Sequence, residues 1–239
     1  MTYILPLITV LLGAFIGLTY PMKSKKNLKL LLAFSGAFLL TITVTHLLPE
    51  VYFHGADVVH HHEHDHAHNH GDAARIGLFI MIGLVFQIIL EYFSKGAEHG
   101  HVHSSEKSSK VPWTLFISLC LHALFEGTPL SQHGELTWGI AIHHFPIAII
   151  LTVFFLNGGM DKIKTLLLMC AFGLMTPLGT LVSENSHFFT TYYNEISAIV
   201  VGILFHISST IIFESNENHK FNFAKLVAIV VGIVLGYLI

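Results

Sequence analysis

The sequence predicts an all-α integral membrane protein with eight transmembrane helices, and three observations carry that prediction. The chain has 239 residues, of which 53% are apolar and only 11% charged, and its mean hydropathy is +0.66, outside the range of soluble domains. Apolar runs of the ~20 residues needed to cross ~30 Å of hydrocarbon recur along the whole length and leave no room for a soluble domain. The basic residues fall in alternate loops, as cytoplasmic loops enriched in Lys and Arg require. The net charge of −3 offers no basic surface for nucleic acid, so no nucleic-acid partner is expected and the bilayer is the partner by composition.

The first span, 4–20, follows Met-Thr-Tyr-Ile-Leu-Pro, which lacks the basic start of a cleaved signal peptide, so this run is expected to be retained. Loop one carries Lys23, Lys25, Lys26 and Lys29. The second span, 28–50, contains His46-Leu47-Leu48-Pro49-Glu50. Loop two, 57–72, is low-complexity: His60, His61, His62, His64, His66, His68 and His70 alternate with Glu63, Asp65 and Asn69. With almost no apolar residue it cannot fold a core, and it reads either as a disordered outer metal-capture tract or as a plain polar linker. The third span, 74–94, ends near Glu91, and loop three, 95–111, carries His99, His101 and His103 beside Lys95, Lys107 and Lys110. Spans four (112–131) and five (135–157) are joined by a polar turn, Gln132 to Glu135. Lys162 and Lys164 precede span six (163–183), which contains Gly173, Pro177 and Gly179. Span seven (193–214) carries His206 and ends at Glu214, and Lys220 and Lys225 lie about the start of span eight (222–239).

The loops with an odd number thus hold all eleven lysines, and Arg75 is the one basic residue on the other face. Both termini are therefore expected outside the cytoplasm. Histidine tracts then lie on both faces, the 60–70 tract outside and the His99, His101 and His103 acceptor cluster inside, which suits a metal that crosses. Cys120 and Cys170 sit in apolar runs and are expected to be buried thiols rather than a disulfide framework.

Spans four and five carry the chemistry. His122 and Glu126 are four residues apart and share a helix face, and His143 and His144 lie on the returning span. Ionisable groups at such depth are costly, so they read as functional. From the rise of a helix, His122 lies ~15 Å above the inner boundary and Glu126 ~6 Å further out, while His143 and His144 lie ~12 Å below the outer one. In a ~30 Å core the four meet at one level. Imidazole and carboxylate together are a divalent-metal ligand set. His46, Glu50, His206, Glu91 and Glu214 continue a polar route across the membrane. Taken singly, Glu50, Glu91 and Glu214 also read as residues at helix ends. The prolines at 49, 129, 146 and 177 kink helices either beside such a route or for packing.

These motifs resemble the ZIP (Zrt-, Irt-like protein) family of divalent-metal transporters, in a divergent prokaryotic form, over the whole chain. The likeness is carried by His46-Leu47-Leu48-Pro49-Glu50, His122-xxx-Glu126-Gly127, His143-His144-x-Pro146 and Thr176-Pro177-Leu178-Gly179 in this order. It implies a 3+2+3 inverted-repeat bundle in a bacterial inner (cell) membrane, with helices four and five holding the ion between two three-helix units. Zn2+ is the implied transported substrate of an uptake carrier that is not an enzyme. Other divalent transition metals and a homodimer are left open. Ala123 and Ile147 stand where many members have a polar residue or a carboxylate that helps build a second adjacent site. A single site is therefore expected, with His122, Glu126 and His143 as ligands and His144 either as a fourth ligand or as a group behind one. Fewer carboxylates favour zinc over manganese or magnesium. The alternatives are a zinc-dependent intramembrane hydrolase, for which no HExxH helix is present, and a metal exporter of another family, whose His-rich loop would be cytoplasmic.

Overall fold

The computed structural model describes residues 1–20, 25–57, 68–94, 112–214 and 223–239, and every regular element among them is a helix. In chain order these are α1 (Ile4–Thr19), α2 (Lys25–Ile42), α3 (Leu48–Asp57), α4 (His68–Ser94), α5 (Trp113–Gly127), α6 (Gly134–Asn157), α7 (Lys162–Asn185), α8 (His187–Thr191), α9 (Tyr193–Glu214) and α10 (Phe223–Tyr237). His60, His61, His62, His64 and His66 and the cluster of His99, His101 and His103 lie outside the described residues. So do the side chains of His68, His70 and Glu214.

Six helical segments are long and apolar enough to cross a membrane: Asn27–Phe53, Asp72–Phe93, Trp113–Ser131, Gly134–Asn157, Lys162–Asn185 and Tyr193–Phe213. The eight expected spans are reduced to six on this measure because α1 and α10 have only 16 and 15 residues, a rise of ~24 and ~22 Å. The second expected span is not one uniform rod. Pro49 has no N–H to give the Thr45 carbonyl, and the helix widens just before it. A π turn over Thr43–Leu47 links α2 to α3, with the Leu48 N–H reaching the Thr43 carbonyl five residues back. The expected loop over 57–72 is also too long. Asp57 ends α3, and His68 to Asp72 already belong to α4. The short α8 between α7 and α9 was not expected from the sequence. Cys120 and Cys170 are free but half-buried rather than fully buried.

The helices pack as close pairs: α1 on α6, α4 on α9, α2 on α10 and α5 on α7. Glycine makes these approaches. A Cβ on Gly83 would stand 1.9 Å from the Ile199 carbonyl oxygen, and one on Gly127 2.1 Å from that of Thr176. Gly13-xxx-Gly17 on α1 and Gly232-xxx-Gly236 on α10 repeat the small-residue spacing by which apolar helices meet backbone to backbone. Large side chains such as Leu78, Met81, Ile82, Val85 and Ile89 of α4 point outward, while Ser, Thr, His and Glu side chains are buried between helices. Apolar residues outside and polar ones inside are what lipid as solvent demands.

Side-chain contacts define two ends. At one, the Tyr3 hydroxyl bonds Glu184, Arg75 pairs with Glu195 at 2.7 Å and Glu50 pairs with His133 at 3.0 Å. At the other, His206 meets Glu91 and Lys225 Nζ donates to the Ile212 carbonyl at 2.6 Å.

Candidate metal centre

The centre is built by α5 and α6. Helical spacing puts His122 and Glu126 on one face of α5, and His122 Nε2 lies 3.1 Å from Glu126 Oε1. On α6, His144 Nε2 lies 2.9 Å from Glu126 Oε2, so the carboxylate bridges the two helices. His122, Glu126 and His143 each offer a ligand atom within 4.8 Å of the others. All four residues are buried, none more than 3% exposed. A carboxylate at this depth is tolerable only when charge or hydrogen bonds compensate it, and the two imidazoles do so.

The four groups therefore meet at one level, as the rise along spans four and five required. His144 Nε2 is on Glu126, and its ring rests against Phe172 with centroids 5.6 Å apart. A closed cavity of about 10 Å³ is lined by His122, His143 and His144 with Leu119, Ile147, Phe172, Ile207 and Ile211, roughly the room of one water-sized sphere. Ile147 forms part of that apolar wall, Ala123 is wholly buried, and among the described residues His122, Glu126 and His143 are the group with metal-ligating spacing.

Local chain geometry explains the placement. Pro129 ends α5 by opening a 3-10 turn over Thr128–Ser131. The Thr180 hydroxyl of α7 donates to the Gly127 carbonyl at 2.8 Å, satisfying a backbone group that the broken helix leaves open. Inside α6, Pro146 removes the N–H that would bond the Ile142 carbonyl, right beside His143. Carbonyls freed in this way are at home beside a polar site.

The expected route residues fall into two groups. His206 Nε2 contacts Glu91 Oε2 at 2.5 Å between α9 and α4, one residue before the cavity-lining Ile207. Gln87, one turn back from Glu91, is buried with its Oε1 unbonded. At the opposite end His46 and Glu50 line an open cavity of about 530 Å³ together with His133 and Glu135. His133 was passed over in the sequence as part of a polar turn. Its partner, Glu50, lies some eighty residues away in the chain, and the one available sign was a histidine standing directly before a helix at the outer boundary. Gln87 and Thr180 carry no sequence signal beyond that of ordinary polar residues.

No protein-family model matches the chain, and no curated protein sequence matches it. The geometry defines a class on its own terms: a multi-pass helical protein with a buried imidazole and carboxylate group of metal-ligating spacing between two long apolar helices.

Proposed function

We propose that the chain is a divalent-metal uptake transporter of the ZIP type, with zinc as preferred cargo, working by alternating access through the single group His122, Glu126 and His143. The observation that carries this reading is the convergence of those three side chains to within 4.8 Å, fully buried, on two neighbouring helices. Nitrogen-rich ligands suit zinc. The helix pairing lends support. Exchanging α1 with α7, α2 with α9, α4 with α10 and α5 with α6 turns the α1–α6 contact into α7–α5 and the α4–α9 contact into α10–α2. An inverted 3+2+3 bundle has this symmetry. The α2–α6 and α4–α5 contacts have no counterparts of comparable size.

In this mechanism the ion enters from the end that carries Glu50 and His133, and the 60–70 histidine tract collects it there. It leaves past Glu91, His206 and Glu214 towards the lysine-rich face and the His99, His101 and His103 cluster. Proton and metal compete at the centre. The imidazole nitrogens that hold Glu126 must give up a proton or a hydrogen bond to hold a cation. Protonation from the receiving side then favours release. Both termini lie outside, and the bilayer is that of a cell membrane.

The test is uptake of radioactive zinc into proteoliposomes, with competing cations. His122→Ala and Glu126→Ala are each expected to abolish it, and flux unchanged in both would remove the centre from the mechanism. Tightly bound zinc with lipid or peptide cleavage, and no flux, would favour the hydrolase reading.

A further inference from the structure

We propose that the outer cavity holds a second, separate divalent-cation site in which Glu50 and His133 are the ligands. Its existence does not depend on transport, whereas its role as the ion's first stop rests on the uptake reading above.

The pieces come from three parts of the chain. The π turn before Pro49 and the start of α3 bring His46 and Glu50 to the same opening. The 3-10 turn after α5 sets His133 directly before α6, its backbone N–H bonded to the Pro129 carbonyl at 3.2 Å. Tyr193, at the start of α9, then fixes the ring. It stacks on His133 with centroids 6.4 Å apart and planes at 21°, and its hydroxyl donates to the same Pro129 carbonyl at 3.3 Å. A ligand held this way loses little freedom when it binds.

His133 is nearly buried, with 6% of its side chain exposed, whereas Glu50 is 30% exposed. One ligand is thus anchored and the other reaches into open space. Nδ1 of His133 and Oε2 of Glu50 are 3.0 Å apart, close enough for one cation to replace the shared proton, which leaves to water. One imidazole and one carboxylate leave positions for water or for His46 and Glu135 on the same wall. Among the described residues no Lys or Arg lines the cavity, so its field favours cations. A simple hydrogen-bonded pair that fastens α3 to the α5–α6 turn would need neither the 530 Å³ opening nor two further ligand-type side chains around it. The contrast with the centre is one of access: about 10 Å³ and closed there, wide and open here.

The test uses crystals of the full-length protein grown with zinc chloride and measured at the zinc absorption edge. The expected result is an anomalous peak between Glu50 and His133 that persists in Glu126→Gln and vanishes in the double variant Glu50→Gln/His133→Asn. In proteoliposomes that double variant is expected to raise KM for zinc about tenfold, the lower end of losses seen when support for a metal is removed, with kcat unchanged. A peak at the centre and none at the mouth would overturn the inference and leave the transport reading standing. A mouth peak in a wild-type protein that carries no zinc would do the reverse. A mouth peak with KM unmoved in the double variant would remove the site's role in uptake.

Discussion

Glu126→Gln keeps the shape of the side chain and removes its charge, which separates holding a metal from holding the fold. In the structure Glu126 lies 3.1 Å from His122 Nε2 and 2.9 Å from His144 Nε2, with no solvent contact. A glutamine oxygen still accepts from one imidazole, and the other loses its acceptor. The cost of one such loss is about 1–3 kcal/mol, offset in part because a buried charge is no longer carried. The fold is therefore expected to survive, with a thermal midpoint within a few degrees of wild type. The metal fares differently. At ~4 Å and an effective dielectric constant near 20, each of the two unit charges of a divalent cation loses about 4 kcal/mol of attraction, roughly a thousandfold in affinity per unit charge. The assay pairs zinc uptake in proteoliposomes with a thermal melt of the same preparation, with and without zinc. A wild-type melt at zinc a hundredfold above its dissociation constant should gain about 2.7 kcal/mol, and the variant should gain none from the centre. Uptake within twofold of wild type, in a variant that melts normally, would refute the assignment of Glu126 as a ligand.

Three other outcomes follow from the packing and the loops. Gly127→Val should destabilise by at least about 1–3 kcal/mol, since even a Cβ there would stand 2.1 Å from backbone, whereas Gly134→Ala, with open space around it, should not; thermal melting in detergent reads both. Asp161 caps α7 by accepting from the Lys164 N–H at 2.8 Å, and that backbone bond first, then the Lys164 side chain, holds its carboxyl below the ordinary value. Its folded value is depressed, so the stabilisation is present above the unfolded value and fades as pH falls through the folded one. Asp161→Ala should therefore melt below wild type near neutrality, and the gap should close as pH falls through the folded carboxyl's titration. Finally, in a background with Cys120 and Cys170 replaced, Asn185→Cys should react with an impermeant maleimide on intact cells and Lys162→Cys only after lysis; the reverse pattern would invert the topology.

The centre was legible because two local regularities met. The spacing of His122 and Glu126 fixed a helix face, and the constant rise along two antiparallel spans fixed the level of His143 and His144. Both depend only on chain geometry, and lipid allows little besides helices. Where an arrangement depends on how distant segments dock, the sequence was mute. Glu50 and His133 meet only because the turn after α5 comes beside the first turn of α3. The π turn was visible as Pro49 but not as a change of register. The expected spans 4–20 and 222–239 already stood close to α1 and α10, which fall short of the ~20 residues that a crossing needs. Position alone does not separate the roles of His143 and His144, since neighbouring residues on one helix share nearly the same depth.

The glycine crossings set how such a bundle can move. Gly127 and Gly179 join α5 to α7 backbone to backbone, and Gly13 and Gly17 join α1 to α6 in the same manner. Between α1 and α7, by contrast, a Cβ on Gly173 would meet the side-chain ends of Leu7 and Val10, surfaces that slide more readily than clasped main chain. His122 and Glu126 ride on the first weld and His143 and His144 on the second. Any shear that opens this molecule must part the carboxylate from half of its imidazoles, so grip and release would be two positions of one seam.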